Sequence, residues 1–349
     1  MRREIIKRYL QIIGCHETNS YDLFTGKAGV CLALFVASRC WKSSACDRLA
    51  NEYLSEILKG VRHIKGTSLD TGLSGIGMMF NILVKHEMLE VGSDDFFMKL
   101  DAKIYKDLFD DSIPKSVSCT NGILGYFVYV ISRLRMIYKD GSLLHRLHVA
   151  MFRKCINDIS DLFPSYYKST NADIHTSVLF EGPILFFLLG QGLSMNISTP
   201  QIRNVVNNWQ YYIKSIYPFN NINRLSLGTS LYYLNRSLHY GWLEETARTM
   251  VYSVNFNELK DEIDDRILNI NEGWFFFCVI LYLSAGIVPK KHDKYKDILL
   301  TRREVVNIYA NDFNNRIVNQ EHDFDNCNLI NGLSGIILLQ ALFPKAFKK

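Results

Sequence analysis

Along the chain, near-continuous apolar blocks opened by a glycine alternate with stretches in which apolar residues recur every third or fourth position. Four blocks carry two glycines: TGKAGVCLALF (Gly26, Gly29), TGLSGIGMMF (Gly72, Gly75), NGILGYFVYV (Gly122, Gly125) and NGLSGIILLQ (Gly332, Gly335). Three keep only the first: EGPILFFLL (Gly182), LGTSLYYL (Gly228) and EGWFFFCVI (Gly273). The first glycines lie 46, 50, 60, 46, 45 and 59 residues apart in chain order. Repetition at such a period marks an array of supersecondary units. Each block reads as a buried helix, because a helix apolar all round must be covered all round. Gly122 to Leu134 is the clearest case, and Pro183, directly after Gly182, suits a first helical turn. The intervening stretches read as helices with one wet face. Their apolar positions are Leu49, Tyr53, Ile57; Phe97, Leu100, Ile104, Leu108; Leu144, Leu147, Met151; Ile202, Val206, Trp209, Ile213, Ile216; and Leu243, Ala247, Met250, Val254. Ile5, Ile6, Tyr9, Leu10 and Ile13 suit a first outer helix. No sustained period-two alternation bounded by hairpin turns is present.

Repeated helix pairs either stack as an open solenoid or close into a ring. An open array needs polar capping repeats at both ends. Here the last repeat, NGLSGIILLQALF, is among the most apolar. The expectation is ring closure, with the first and last pairs protecting one another. The chain thus reads as all-α, an α/α toroid (barrel) of seven outer–inner helix pairs, with residues 1–349 as one domain. Length alone suggests two domains at ~150 residues each; the repeat replaces them by seven units of about 50 residues. Glycine at an inner-helix start permits close backbone approach. A ring of such starts would surround a cavity with free N–H groups and partial positive charge. The same glycines also serve tight packing alone.

Composition narrows the class. Apolar residues make up 48% and charged residues 21%, which excludes wholesale disorder, and only 7 prolines fit long uninterrupted helices. The net charge of +5 is spread along the chain, so nucleic acid is not expected as a partner. No uncharged apolar run reaches ~18 residues, so no membrane span is expected. The eight cysteines form no CxxC pair and are too sparse for a disulfide scaffold. They read as free, mostly buried thiols. The N-terminus lacks a signal-peptide pattern, and the expected location is the cytoplasm.

The copies YDLFTGKAG, GLSGIG and NGLSGI resemble the repeat signature of the lanthionine synthetase C-like (LanC) family, and the resemblance runs from about Tyr21 to Leu342. It implies an α/α toroid with a central zinc ion that activates a peptide cysteine. That thiol adds to dehydroalanine or dehydrobutyrine, forming lanthionine rings in a ribosomally made peptide. The resemblance places the zinc ligands as Cys in the fifth repeat and adjacent Cys-His in the sixth. At those positions this chain has Ser226, Asn271 and Glu272. A family histidine before the fourth-repeat glycine is Glu181 here, and an aspartate four residues before the third-repeat glycine is Ser118. Zinc prefers thiolate and imidazole donors in a tetrahedral set, and hydroxyl and amide groups replace them poorly. No metal site and no cofactor is therefore expected. Without zinc, a thiol of pKa ~8.5 is only about 3% thiolate at pH 7, a deficit of roughly 2 kcal/mol. Cys119 and Cys327 lie near repeat glycines, but buried structural thiols are the plainer reading. The nine histidines include no HxxxH pair and read as surface or packing residues.

Carboxylates remain beside the glycines: Asp22, Asp70, Glu181 and Glu272. Two of them, Glu181 and Glu272, form the candidate catalytic pair for general acid–base work. Such carboxylates also suit a hard cation, or simple capping of helix N-termini. Asp70, Ser118, Ser226 and Asn271 are the candidate substrate-binding residues at the cavity mouth. Bulky Leu185, Leu231 and Phe276, where a second glycine would stand, narrow that mouth. Three readings follow. The first is a LanC-like protein of a peptide-modification system that binds a peptide substrate or a modification-enzyme partner without zinc-dependent cyclisation. The second is an active thioether cyclase with a rebuilt site. The third is a toroidal enzyme using central carboxylates, for example on a carbohydrate.

Overall fold

The computed structural model describes residues 6–7, 9–11, 13, 19–90, 94–112, 115–137, 141–170, 178–259, 261–262, 274–319, 328–330 and 332–342. Among them there are helices and no strand. Among the inner helices that start directly after a repeat glycine are α1 (Lys27–Trp41), α3 (Leu73–Lys85) and α5 (Ile123–Leu134). The capping glycines share one extended conformation, with φ of −110°, −116° and −122° at Gly26, Gly72 and Gly122. The outer helices between them are α2 (Ser44–Gly60), α4 (Asp94–Leu108) and α6 (Leu143–Thr170). Next come α7 (Val178–Ser194), α8 (Thr199–Asn208), α9 (Gln210–Ser215), α10 (Asn221–Leu238) and α11 (Gly241–Tyr252). The last are α12 (Trp274–Ile287), α13 (Lys294–Asn319) and α14 (Leu333–Leu342). None of the described helices is long and apolar enough to cross a membrane.

The chain clusters into two compact units. One comprises Met1–Phe97, Ile263–Leu281 and Leu299–Lys349; the other comprises Met98–Glu262 and Tyr282–Ile298. Within the first, α1 packs against α2, α3 and α14. The expected mutual protection of the first and last repeats is present there. The Leu329 N–H donates to the Phe24 carbonyl at 2.9 Å, and the Tyr9 and Ser334 hydroxyls bond at 2.8 Å in the interior. The second glycine of the repeat is required by close approach. A Cβ on Gly75 would lie 2.2 Å from the Leu69 carbonyl oxygen and 2.9 Å from Leu23 Cβ; on Gly29 it would lie 2.2 Å from the Leu23 oxygen and 2.8 Å from Leu329 Cβ. Leu23 and Leu329 thus each seat on the second glycine of the neighbouring repeat.

Within the second unit, α10 packs between α7 and α11, and α5 packs on α6 and α7. Ile123 to Leu134 is buried on most sides, as its composition predicts. It even buries Arg133, whose guanidinium meets Asp101 of α4 at 2.8 Å. His148 Nε2 stands 3.1 Å from the same carboxylate, and the Tyr129 hydroxyl donates to it.

Four expectations are corrected. The fourth and fifth glycines do not open their helices: α7 starts four residues before Gly182 and α10 seven before Gly228. Pro183 is consequently the sixth residue of α7 and not in its first turn. The predicted face of α2 is displaced: Cys46, Ala50, Leu54 and Ile57 are buried, and Leu49 and Tyr53 are half-buried. In α6 the core face runs through His148, Met151, Phe152 and Cys155, with Leu144 and Leu147 at its edge. The faces of Phe97–Leu108 and Leu243–Val254 are buried as predicted; so is Ile202–Ile216, although Trp209 breaks it into α8 and α9.

Candidate functional site

The loops before the inner helices share a plan. Three residues before the first glycine stands Leu23, Leu69, Cys119 or Leu329. The Leu23 N–H donates to the Asp70 carbonyl of the next repeat at 3.3 Å, and the Leu329 N–H to Phe24 in the same way. At these two joints a backbone bond joins one repeat loop to the next.

Between the third and fourth repeats that joint is different. The residue that would supply the carbonyl, two before Gly182, is already inside α7. The Cys119 N–H donates instead to Glu181 Oε1 at 3.0 Å, and the Tyr166 hydroxyl of α6 donates to Glu181 Oε2. Glu181 is 7% exposed, so its carboxylate is nearly out of water. Burial, reinforced by that charge, pushes the Cys119 thiol up to about 12. Cys119 is a protonated, unreactive thiol at neutral pH. Ser118 is turned to its own loop, with its hydroxyl 2.9 Å from Thr120 Oγ1 and accepting the Thr120 N–H at 3.2 Å.

Carboxylates of the first two repeats cap their loops. Asp22 Oδ1 accepts the N–H groups of Thr25 and Gly26, at 2.6 and 2.9 Å. Asp70 Oδ1 accepts the Thr71 N–H at 2.7 Å and the Ser68 hydroxyl at 2.6 Å. A capping carboxylate that the sequence reading missed is Glu262. Its oxygens accept the N–H groups of Asn221, at 2.9 and 2.6 Å, and of Ile222, at 3.1 Å, closing the start of α10. These are free donors of a helix N-terminus, so a carboxylate there is favourably placed.

Ser226 is buried, 3% exposed, in the second turn of α10. Leu185 and Leu231 are fully packed, at 1% and 0%. Of the six candidate residues, the structure joins the Ser118–Cys119 loop to Glu181 and keeps Asp70 in a cap of its own. Asn271 and Glu272 lie outside the described residues, as do Cys15, Cys327, His16, His175 and His322. Among the described residues no three His, Cys, Asp or Glu side chains gather as a metal site. Four of the six described cysteines are buried, and all six are free of disulfides. Tyr166 was not foreseen because it lies on an outer helix, outside every glycine block.

Residues 17–188 match the family model described as Lanthionine synthetase C-like protein. Over that stretch, about half of its length, the chain is similar to the lanthionine synthetase C-like family. Compared by sequence with curated proteins, it finds no match. By structure it is similar to nisin cyclase, at a TM-score of 0.67 and 14% identity, over 98% of this chain and 93% of that one. At that identity the likeness carries the fold, an all-helical α/α toroid.

Proposed function

We propose that this LanC-like protein serves a lanthipeptide-type peptide-modification system by binding a peptide, or a partner enzyme that carries one, and that it has no zinc-dependent cyclase activity. We place it in the cytoplasm, as one domain over residues 1–349. The observation that carries the reading is Ser226. It occupies the fifth-repeat ligand position, but it is a hydroxyl, buried inside α10, five residues beyond the helix start. A serine there offers zinc neither a soft donor nor a charge. Asn271 and Glu272, the sixth-repeat positions, add an amide and one carboxylate. This donor set does not fit a zinc ion. The family match also ends at residue 188, before all three positions.

Glu181 fits the same reading. Both oxygens are engaged by donors of neighbouring elements, so its work is to hold loop and helix together. The test combines metal analysis with thiol counting. Thiol addition to a dehydroamino acid conserves mass, so alkylatable thiols are counted on a dehydrated, cysteine-containing peptide before and after incubation. The expected result is less than stoichiometric zinc, an unchanged thiol count, and peptide binding by calorimetry. Stoichiometric zinc together with consumed thiols overturns the proposal.

A further inference from the structure

From Gly182 to Leu243 there is no Asp or Glu in 62 residues, where the chain average of one acidic residue in ten would place about six. The same stretch carries four cations, Arg203, Lys214, Arg224 and Arg236. It forms α8, α9, α10 and parts of α7 and α11, all within the unit that contains Met98–Glu262.

Three of these cations stand on exposed or half-exposed aromatic rings: Arg224 lies 5.9 Å from the Tyr217 ring centre, and the other two share one strip. The Arg203 guanidinium lies 5.9 Å from the Tyr240 ring centre. Tyr240 stacks on Trp242, with centres 6.2 Å apart and planes 26° from parallel. Lys214 Nζ lies 5.7 Å from the Trp242 ring. Tyr211, three residues before Lys214 on the same face of α9, is 76% exposed. The result is a continuous strip: Tyr211, Lys214, Trp242, Tyr240, Arg203. Neither Lys214 nor Arg203 pairs with a carboxylate among the described residues. Arg203 spends one N–H on the Ser237 carbonyl at 3.3 Å, and that contact is neutral.

Unpaired cations held over rings are pre-positioned for anions, and the rings offer rigid apolar area at small entropic cost. Tyr, Trp and Arg are also the residues that carry most interface energy. We infer that this strip on α8, α9 and the start of α11 is a docking surface for an acidic peptide segment carrying apolar or aromatic side chains. Carboxylates would meet Arg203 and Lys214, and side chains would lie on Tyr211 and Trp242. The inference rests on the peptide-binding reading and adds the place and the chemistry of the contact.

The experiment is fluorescence anisotropy on the full chain with a labelled decapeptide of Glu, Leu and Tyr. Its Lys-for-Glu counterpart and single-stranded oligouridylate serve as comparisons. The acidic probe should bind at least tenfold more tightly than the basic one, and binding should weaken as salt rises. The double variant R203Q/K214Q, altered only in exposed or half-exposed cations, should lose about tenfold in affinity for the acidic probe with an unchanged melting curve. Trp242→Ala should lose more; if it unfolds, the double variant decides alone. Equal binding of the two peptides, undiminished binding by the double variant, tighter binding of oligouridylate, or no binding of the acidic probe overturns the inference. A protein that binds dehydrated peptide but fails these tests keeps its proposed function and loses only this surface.

Discussion

Replacing Glu181 separates a residue that holds the molecule together from one that performs chemistry. In Glu181→Ala, the Cys119 N–H and the Tyr166 hydroxyl lose their acceptor. An unmade hydrogen bond at a buried donor costs ~1–3 kcal/mol, and the partial exposure of both donors argues for the lower end. Loss of a carboxylate from the first turn of α7 adds ~0.3–1 kcal/mol through the helix dipole. The sum is about 2–3 kcal/mol. Glu181→Gln keeps the size and an amide oxygen for Cys119, losing only the charge on the bonds, so about 1 kcal/mol is expected. Urea unfolding reads both: with a slope of about 3 kcal/mol/M, the alanine variant's midpoint should fall by ~0.7–1 M and the glutamine variant's by ~0.3 M. Hydrogen exchange gives a local readout, since the Cys119 amide should exchange faster in the alanine variant and stay protected in the glutamine one. An alanine variant as stable as the parent, with an unchanged Cys119 amide, refutes the reasoning.

Gly75→Ala places a Cβ 2.2 Å from a backbone oxygen, so overpacking should cost ~1–3 kcal/mol or more. Gly286→Ala, at an exposed position near the end of α12 with nothing within 4 Å, should gain about 0.5 kcal/mol; thermal melts compare the two, and equal effects contradict the close-approach account. At Asp101 burial favours the neutral acid, but His148 and Arg133 outweigh it and hold the carboxyl below its ordinary range. Its contribution is therefore complete above about pH 4 and lost as pH falls through the lowered value, and Asp101→Asn, which leaves Arg133 buried without its charge partner, should cost ~3–5 kcal/mol at neutral pH in urea unfolding. His292 is held below its ordinary value mainly by burial, with Arg248 and Lys294 adding to that and Asp293 opposing, and its Nδ1 accepts the Lys294 N–H. Stability should be complete above about pH 6.5 and fall below it, and His292→Asn should flatten that part of a stability–pH curve.

The repeat was legible because glycine is chemically unambiguous. Gly26, Gly72 and Gly122 cap their helices where the pattern says they should. Outer faces were legible where large apolar residues mark them, as in Phe97 to Leu108. The reading slipped where small or polar residues form the core. In α2 the centre of the contact is Cys46 and Ala50, whose size lets helices approach but whose hydropathy is weak. In α6 it is His148, buried because its partner Asp101 waits on another helix, which no local periodicity reveals. Glu181 was found by its position in the repeat. Its donors were not, since Tyr166 lies fifteen residues upstream and the bond from Cys119 comes from the preceding repeat, 62 residues away.

Two departures from the repeat coincide in the fourth and fifth copies. One is chemical, the arrival of Glu181 and Ser226 at positions that the family resemblance assigns to His and Cys. The other is geometric, the earlier start of α7 and α10, which takes Gly182 and Gly228 inside the helix. A ligand at a helix entrance can point into a cavity, and its backbone N–H is free to meet an anion. A residue in the second turn has its N–H committed to the helix ladder and its side chain against the neighbouring element. Ser226 is such a residue, and restoring a cysteine there would not restore the entrance. The free N–H groups have moved back to Asn221 and Ile222, where Glu262 already occupies them. Ser226→Cys alone, or with Asn271→Cys and Glu272→His, should therefore bind zinc far more weakly than a preformed site. Competition with a chromogenic zinc chelator measures this, and tight stoichiometric binding by the triple variant would show that the helix start is no obstacle.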